Sequence, residues 1–487
     1  MASPMTDLRL FNSLTRQLEP FKPVRDGEAR VYTCGPTVYN YAHIGNMRAY
    51  VFADVLGRTL SFKGYQLKHV INITDVGHLT DDGDAGEDKL ELAAKANAQS
   101  IWDIAKHYTE AFWADIKALN IRQPMQWSIA TDYVPAMIEF AQGIAARHCY
   151  ELPGGLYFDT SSVADYGRLA RAKTDDGEGR IAAVDGKRNA ADFAIWRKTP
   201  PGETRQMEWD SPWGKGAPGW HLECSVMSGQ LLGFPFDIHT GGIDHREIHH
   251  PNEIAQNQAH TGSGDLGHSD ASGASIWMHN NFLVERSGKM SKSSGEFLRL
   301  QLLIDRGYHP LAYRLMCLQA HYRSELEFSW EGLQAALVRL KRLVAGFARF
   351  PEDRAGEWPH GYSNFSNAAE AFDAAISDDL NTPLALISFE MLTNSLKSNF
   401  MAAQRDHVLS MDTVLGLKIG AIARSDLRIR PKAATITEPE IDAILAQRRE
   451  ARAAKDFVTS DRRRDELAGH GVEVMDGDPL GWDWKLA

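Results

Sequence analysis

The sequence predicts an α/β fold: a doubly wound, Rossmann-type domain with an insertion, followed by an α-helical bundle and a small C-terminal domain. In the first half, ARVYTC leads through a glycine turn into a helix and then into YQLKHVINIT. Strand, turn, helix and strand in this order begin a doubly wound sheet. Residues 236–256, FDIHTGGIDHREIHHPNEIAQ, repeat the strand, glycine turn and helix start. Beyond Pro310 the spacing becomes that of bundle helices, with apolar residues at Leu333, Leu337, Leu340, Val344 and Phe347.

Length and composition limit the class of protein. A chain of 487 residues exceeds one core, and about three domains are expected. No run of about 18 apolar residues occurs, and the N-terminus lacks the pattern of a signal peptide, so we expect a cytoplasmic protein without membrane contact. The four cysteines, without a CxxC pair, favour thiols or metal ligands over disulfides. The net charge of −11 leaves only local patches for nucleic-acid contact.

Residues 1–124 are predicted to form the first half of the sheet domain. Its first helix starts at Asn46 and stops at Gly64, and its inward face is apolar at Met47, Tyr50, Val51, Val55 and Leu60. Residues 75–91, DVGHLTDDGDAGEDKLE, are acidic and rich in glycine. We interpret them as a solvated loop, because their carboxylates do not follow the spacing of a calcium loop.

The rest of the chain divides into four predicted segments. Residues 125–218 form an insertion of short strands and loops, since residues 151–219 are rich in glycine, proline and charge. Residues 219–310 are the second half of the sheet domain, with a strand at IWMHNNFLVE and then a glycine-bounded loop. Residues 311–423 form a helical bundle, in which Thr382 caps a helix that starts at Pro383. Residues 424–487 contain a linker, one basic helix over residues 448–464, and a tail with Trp482 and Trp484.

Two short motifs could bind phosphates. His43-Ile44-Gly45-Asn46 lies at a helix start, where free N–H groups favour anions. Taken alone, these four residues favour an ordinary capped turn over a phosphate site. Lys289-Met290-Ser291-Lys292-Ser293 lies on a loop after a strand of the second half. Its lysines could reach phosphates and stabilise charge in a transition state. A solvated basic turn is disfavoured, because the motif follows a strand of the second half and complements the first motif.

A metal site is predicted where the two halves of the sheet meet. His249 and Glu253 stand four residues apart, which places both on one face of a helix. With Cys34 and Cys224 they could complete a tetrahedral zinc site at the carboxyl edge of the sheet. On spacing alone, capping or solvated residues remain an equal alternative.

The motifs together resemble those of the cysteinyl-tRNA synthetases, a class I aminoacyl-tRNA synthetase family, over nearly the whole chain. The resemblance rests on CGPTVYNYAHIGN, on NIT at residues 72–74, on GWHLECS, on HTGGIDH with HHPNE, and on KMSKS. It implies one zinc ion per subunit, held by Cys34, Cys224, His249 and Glu253, that binds the thiolate of the substrate. It also implies a stem-contact fold together with the helical bundle in residues 311–423, and an anticodon-binding role for residues 424–487.

The resemblance further implies a substrate set. Thr74, Trp220 and Asp244 would surround L-cysteine. ATP, used with Mg²⁺, would contact Pro36, Thr37, His43, Gly45, Asn46 and Lys292. The catalytic groups would be His43, Asn46, Lys289 and Lys292. The reaction would be ATP-dependent ligation of L-cysteine to tRNA(Cys) through a cysteinyl-adenylate, carried out by a monomer.

Two residues depart from the family pattern. Asn46 stands where the family usually has a second histidine, so we expect reduced but real activity. Pro251 turns the usual HHENE into HHPNE, which a first helical turn accepts. Two alternatives stay open: a cysteine:amino-sugar ligase of mycothiol synthesis, which would match only the catalytic part, and a paralogue that binds RNA or cysteine without charging tRNA.

Overall fold

The computed structural model describes residues 5–76, 100–170, 186–262, 272–285, 288–289, 298–350, 363–394 and 401–486. Most of the acidic stretch 75–91 and the KMSKS residues after Lys289 therefore lie outside the described residues. The elements of the first half are β1 (Arg9–Asn12), β2 (Gln17–Pro20), β3 (Glu28–Thr33), α1 (Ile44–Phe62), β4 (Gln66–Ile73), α2 (Ile101–Ala118) and β5 (Gln126–Ile129).

The middle of the chain supplies an antiparallel sheet and the second half of the parallel one. Its elements are α3 (Val134–His148), β6 (Cys149–Leu152), β7 (Gly155–Phe158), β8 (Phe193–Lys198), β9 (Gly216–Pro218), α4 (Leu222–Leu232), β10 (Phe236–Gly242), α5 (His249–Thr261), β11 (Ala274–Asn280), β12 (Leu283–Glu285) and β13 (Gly288–Lys289). The predicted strand IWMHNNFLVE is two strands, because β11 pairs with β10 whereas β12 pairs with β13.

The remaining elements are mainly helical. They are α6 (Leu300–Asp305), α7 (Pro310–Leu318), β14 (Leu326–Glu327), α8 (Trp330–Phe347), α9 (Ser363–Ser377), α10 (Thr382–Asn394), α11 (Met401–Leu415), α12 (Glu438–Ala453), α13 (Phe457–Gly469), β15 (Val472–Val474) and β16 (Trp482–Trp484). None of the helices in this described part of the chain combines the length and apolar character that crossing a membrane requires.

Within the described residues, the central sheet has five parallel strands in the order β11-β10-β3-β4-β5. The chain adds β4 and β5 on one side of β3, and later β10 and β11 on the other. The predicted doubly wound α/β fold is therefore confirmed. Its switch point lies between β3 and β10, where ligands bind in open α/β sheets.

Helix α1 leads from this switch point into the core. It begins at Ile44, two residues earlier than predicted, because His43 serves as its N-cap and accepts a hydrogen bond from Asn46 N. It ends at Phe62, and Gly64 follows with a φ of 89°, the left-handed conformation expected after a helix. The apolar residues predicted to face inward are all buried: Met47, Tyr50, Val51, Val55 and Leu60.

The stretch assigned to the insertion starts with a strand of the main sheet. β5 falls within residues 125–218 and pairs in parallel with β4. After α3, strands β6 to β9 form a separate antiparallel sheet. The boundaries of the predicted domains stay a prediction.

The C-terminal region has its own small core. The buried residues of this core are Ile436, Ile441, Leu445, Leu467, Val472, Trp482 and Trp484. The prediction of a single basic helix over residues 448–464 is wrong, because the helix ends at Ala453 and a second helix begins at Phe457. Lys455 has a φ of 61°, and the carboxylate of Asp456 accepts a hydrogen bond from Thr459 N at 3.0 Å to start the second helix.

The predicted start of α10 also needs correction. Thr382 is the first residue of this helix. The side chain of Asn381 accepts a hydrogen bond from Leu384 N at 3.2 Å, which is the geometry of an N-cap. Pro383 therefore occupies the second helical position, where a missing N–H group still costs no helical hydrogen bond.

Candidate active site

A cavity of about 330 Å³ opens at the carboxyl ends of β3, β4 and β10. The predicted site residues that line it are Cys34, Pro36, Thr37, His43, Gly45, Asn46, Thr74, Trp220, Cys224, Asp244 and His249. These residues come from both halves of the parallel sheet. The structure thus brings the predicted metal, cysteine and ATP residues to one cavity at the switch point.

Three predicted residues stand apart from that set. Glu253 is fully buried one turn behind His249 on α5. Lys289 lies in β13, paired with Val284 of β12. Lys292 lies outside the described residues.

The four predicted metal ligands form a buried cluster. Cys34 follows β3, Cys224 lies in the first turn of α4, and His249 and Glu253 lie in the first turns of α5. One ligand atom from each lies within 4.8 Å of the others. Two sulfurs, an imidazole nitrogen and a carboxylate oxygen at such separations fit a tetrahedral zinc ion. Pro251 occupies the third position of α5, and the helix accommodates it.

Histidines that the sequence did not indicate as site residues surround these ligands. His239 Nε2 contacts Glu253 Oε2 at 2.9 Å, and His221 Nδ1 contacts His249 Nδ1 at 2.9 Å. His250 Nε2 lies 3.3 Å from Cys34 Sγ. Such partners orient metal ligands and tune their basicity. His239 and His250 also form, with Cys34 and Glu253, a second group of ligand atoms within 4.8 Å of one another.

Electrostatics favour a charged carboxylate and one thiolate in this cluster. Burial opposes ionisation of Glu253, but His239 and His249 lower its pKa to about 2. Burial likewise opposes the charge on His249, yet Glu253 and Cys34 raise its pKa to about 10. The pKa of Cys34 is lowered well below its usual range against burial, by Cys224 and the histidines. Burial and the neighbouring Cys34 raise the pKa of Cys224.

The start of α1 is held by a reciprocal pair of hydrogen bonds. Asn46 N donates to His43 Nδ1 at 3.1 Å, and His43 N donates to Asn46 Oδ1 at 3.2 Å. This is a capping box, so an ordinary structural role for both residues has direct support. A Cβ atom at Gly45 would lie 2.9 Å from the His43 ring, which explains the glycine without a ligand.

Two family models match separate parts of the chain. The family model "tRNA synthetases class I (C) catalytic domain" matches residues 20–338, and the model "Cysteinyl-tRNA ligase anticodon binding domain" matches residues 437–479. The chain belongs to the cysteinyl-tRNA ligase family. The second match lies in the C-terminal region, where α12 and α13 pack together.

Similar proteins agree with this family over their full lengths. A cysteine–tRNA ligase of Novosphingobium aromaticivorans is 71% identical, with 100% of this chain and 98% of that protein covered. One of Zymomonas mobilis is 51% identical, with 100% and 99% covered. Neither the amino-sugar ligase nor the non-charging paralogue is favoured by these matches.

Solved structures of other synthetases share the fold alone. Methionyl-tRNA synthetase of Mycobacterium tuberculosis matches with a TM-score of 0.52 at 16% identity, covering 80% of this chain and 90% of that one. A leucyl-tRNA synthetase complex of Agrobacterium radiobacter K84 matches with a TM-score of 0.57 at 13% identity, covering 81% and 83%.

Asn46→His is expected to separate the capping role of Asn46 from a role toward ATP. Loss of the capping box lowers the free energy of unfolding by about 1 kcal/mol. An imidazole can carry charge toward phosphates, so we expect kcat/KM for ATP in pyrophosphate exchange to rise severalfold, about 1 kcal/mol of transition-state stabilisation. The measurements are thermal unfolding and exchange at varied ATP. Asn46→Gln, which keeps the amide, is the control, and unchanged exchange in Asn46→His would show that the position is tolerant.

Proposed function

We propose that this protein charges tRNA(Cys) with L-cysteine, using ATP. The observation that carries the proposal is the Cys34, Cys224, His249 and Glu253 cluster beside the N-terminus of α1, in a chain whose full-length relatives are named cysteine–tRNA ligases. We place the enzyme in the cytoplasm as a monomer, with Mg²⁺ accompanying ATP.

In this proposal the four clustered residues hold zinc. A zinc ion supplies a soft Lewis acid that prefers the thiolate of cysteine to the hydroxyl of serine. Because that preference separates two side chains of nearly equal size, selection does not need a second, editing site. Asp244 pairs with the ammonium group of the amino acid, and the ring of Trp220, whose centroid lies 4.5 Å from that of His249, forms a wall of the same cavity.

The first step is adenylate formation. A carboxylate oxygen of cysteine attacks the α-phosphorus of ATP in line, a new P–O bond forms, and pyrophosphate leaves. This step needs orientation and charge stabilisation rather than a covalent catalyst. In the proposal His43, Gly45 and Asn46, with Pro36 and Thr37, hold the nucleotide, and Lys289 and Lys292 stabilise the phosphates.

The second step transfers the cysteinyl group. A hydroxyl of the terminal adenosine of the tRNA attacks the acyl carbonyl, an ester forms, and AMP leaves. The C-terminal domain would grip the anticodon region through phosphate contacts. Arg448 and Arg452 already pair with Asp476 at 2.7 and 2.9 Å. The exposed Arg449 and Arg462 are therefore the phosphate contacts that we propose.

Cysteine-dependent pyrophosphate exchange followed by charging of tRNA(Cys) tests the proposal. We expect exchange with cysteine and not with serine, and charging that weakens as salt rises, because phosphate contacts release counterions. Exchange with ligation to an amino sugar but no charging would favour the ligase alternative. No exchange at all would favour the binding paralogue. Arg449→Glu is expected to reduce charging while leaving exchange unchanged, and Lys485→Glu, an exposed C-terminal substitution, is its matched control.

A further inference from the structure

A chain of hydrogen bonds fixes the hydroxyl group of Thr74. Gly35 N donates to Asn72 Oδ1 at 2.6 Å. Asn72 Nδ2 donates to Thr74 Oγ1 at 3.0 Å, and Thr74 Oγ1 donates to Glu223 Oε1 at 2.5 Å. Because a backbone N–H group can only donate, Gly35 sets the orientation of the Asn72 amide and makes its nitrogen the donor to Thr74.

The residues that form this series of hydrogen bonds are buried and held in place. Asn72, Thr74 and Glu223 are exposed by only 1%, 2% and 2%. The backbone of Thr74 is held on both sides, since Thr74 N donates to Pro36 O at 3.0 Å and Val38 N donates to Thr74 O at 3.2 Å. A Cβ atom at Gly35 would lie 1.5 Å from the carbonyl oxygen of Asn72, so only glycine allows this approach. The hydroxyl group therefore has one orientation.

This orientation determines what Thr74 can offer a ligand. A hydroxyl group has one hydrogen and two lone pairs. Its hydrogen goes to Glu223, and one lone pair accepts from Asn72, which leaves one lone pair. Thr74 lines the cavity together with Asp244. Oε1 of Glu223 accepts this hydrogen when the carboxyl group is ionised, and also when the group is neutral with its proton on Oε2.

We propose that Asn72 and Glu223 are positioning residues that make Thr74 an acceptor for the ammonium group of the amino-acid substrate. The inference rests on the proposed function and adds a determinant of specificity to it. Asp244 supplies charge for the ammonium group, and Thr74 supplies a fixed acceptor. A site with such a polarity rejects thiols that lack an amino group, because the buried acceptor on Thr74 would be left without a donor.

Glu223→Met tests this role, because methionine has a similar size and accepts no strong hydrogen bond. The hydroxyl hydrogen of Thr74 is then free to turn into the cavity. We expect KM for cysteine to rise about tenfold, as for a lost hydrogen bond to a charged group, and KM for ATP to stay within about twofold. The inhibition constant of 3-mercaptopropionate, which has the thiol and carboxylate but no amine, is expected to stay within about twofold.

Rescue and linkage complete the test. Glu223→Gln is expected to restore most of the affinity for cysteine, since its amide oxygen can accept the same hydrogen. In a Thr74→Val background, Glu223→Met is expected to add no further loss of cysteine affinity, because Glu223 acts through Thr74. Equal weakening of cysteine and 3-mercaptopropionate, or an unchanged KM for cysteine, would overturn the inference.

Two further measurements, zinc content and wild-type activity, distinguish failure of the positioning role from loss of zinc and from failure of the proposed function. If Glu223→Met does not retain zinc, the same pair of ligands is compared in Thr74→Val and Thr74→Ser. Only the valine variant is then expected to lose affinity for cysteine and keep it for 3-mercaptopropionate, and loss of both ligands in Thr74→Val would reject the role. Absence of cysteine-dependent exchange in the wild-type protein would overturn the proposed function itself, whereas exchange with an unchanged ratio between the two ligands overturns only the positioning role.

Discussion

Cys224→Ala is expected to remove zinc from the purified protein and to lower cysteine-dependent pyrophosphate exchange by about a thousandfold or more, which corresponds to about 4 kcal/mol. The reason lies in the cluster. Cys34, Cys224, His249 and Glu253 are all buried, and their ligand atoms lie within 4.8 Å of one another. Without the Cys224 sulfur only three protein ligands remain, and three ligands hold a tetrahedral zinc ion less tightly than four.

The measurements are zinc content by mass spectrometry and exchange at saturating ATP. Cys149→Ala is the matched control, since Cys149 is a half-buried thiol in β6, outside the cluster. We expect that control to retain both zinc and exchange. A Cys224→Ala protein that lacks zinc yet still selects cysteine over serine would contradict the thiolate argument.

The sequence predicted that these four residues lie together, because its clues are local or typical of a fold. The spacing of His249 and Glu253 gives one face of a helix, and a cysteine at the end of a buried strand lies at the carboxyl edge of a parallel sheet. The contact of His239 with Glu253 was not predicted. Successive side chains of β10 point to opposite faces of the sheet, so His239 lies on the same face as Asp237. Which helix packs on that face is decided by tertiary packing.

Glu223 and Asn46 show a second limit of the sequence. In the sequence Glu223 stands out only as the residue before Cys224, and only the fold places it against Thr74, 149 positions away in the chain. Asn46 was interpreted as a lost imidazole, whereas in the structure its side chain closes a capping box with His43. The break at Lys455 went unpredicted for a similar reason, because charged residues of good helix propensity gave no sign of a residue at a φ of 61°.

Arg314→Leu is expected to lower the free energy of unfolding by about 3–5 kcal/mol. Arg314 in α7 is fully buried and lies 2.7 Å from Asp54 Oδ2 of α1. Its guanidinium also donates to the carbonyl oxygens of Leu415 at 2.7 Å and Leu119 at 3.1 Å. The substitution would leave two buried carbonyl groups and part of a buried carboxylate without donors.

Asp54 keeps some support in that variant, which sets the size of the effect. Burial works against its ionisation, but Arg314 and Arg58 hold the pKa of the Asp54 carboxyl group below its usual value. Arg58 Nε stays at 2.7 Å, and Arg122 N donates to Asp54 Oδ1 at 3.0 Å. Adding Asp54→Leu to Arg314→Leu is therefore expected to cost less than the sum of the two single changes, because no unpaired charge remains.

The free energies of unfolding of both variants are measured by denaturant unfolding, followed by tryptophan fluorescence. A variant of an exposed ion pair serves as the control. Arg464→Leu breaks the surface contact with Asp461 at 3.3 Å and is expected to change stability by less than about 0.5 kcal/mol. If the free energy of unfolding of Arg314→Leu lies within about 1 kcal/mol of that of the wild type, the stabilising role of Arg314 is contradicted. The contacts of Arg314 join α1, whose N-terminus borders the active-site cavity, to Leu415 at the end of bundle helix α11. Arg314→Leu is therefore expected to raise KM for ATP as well, because α1 loses the Arg314 contact that helps to fix its position.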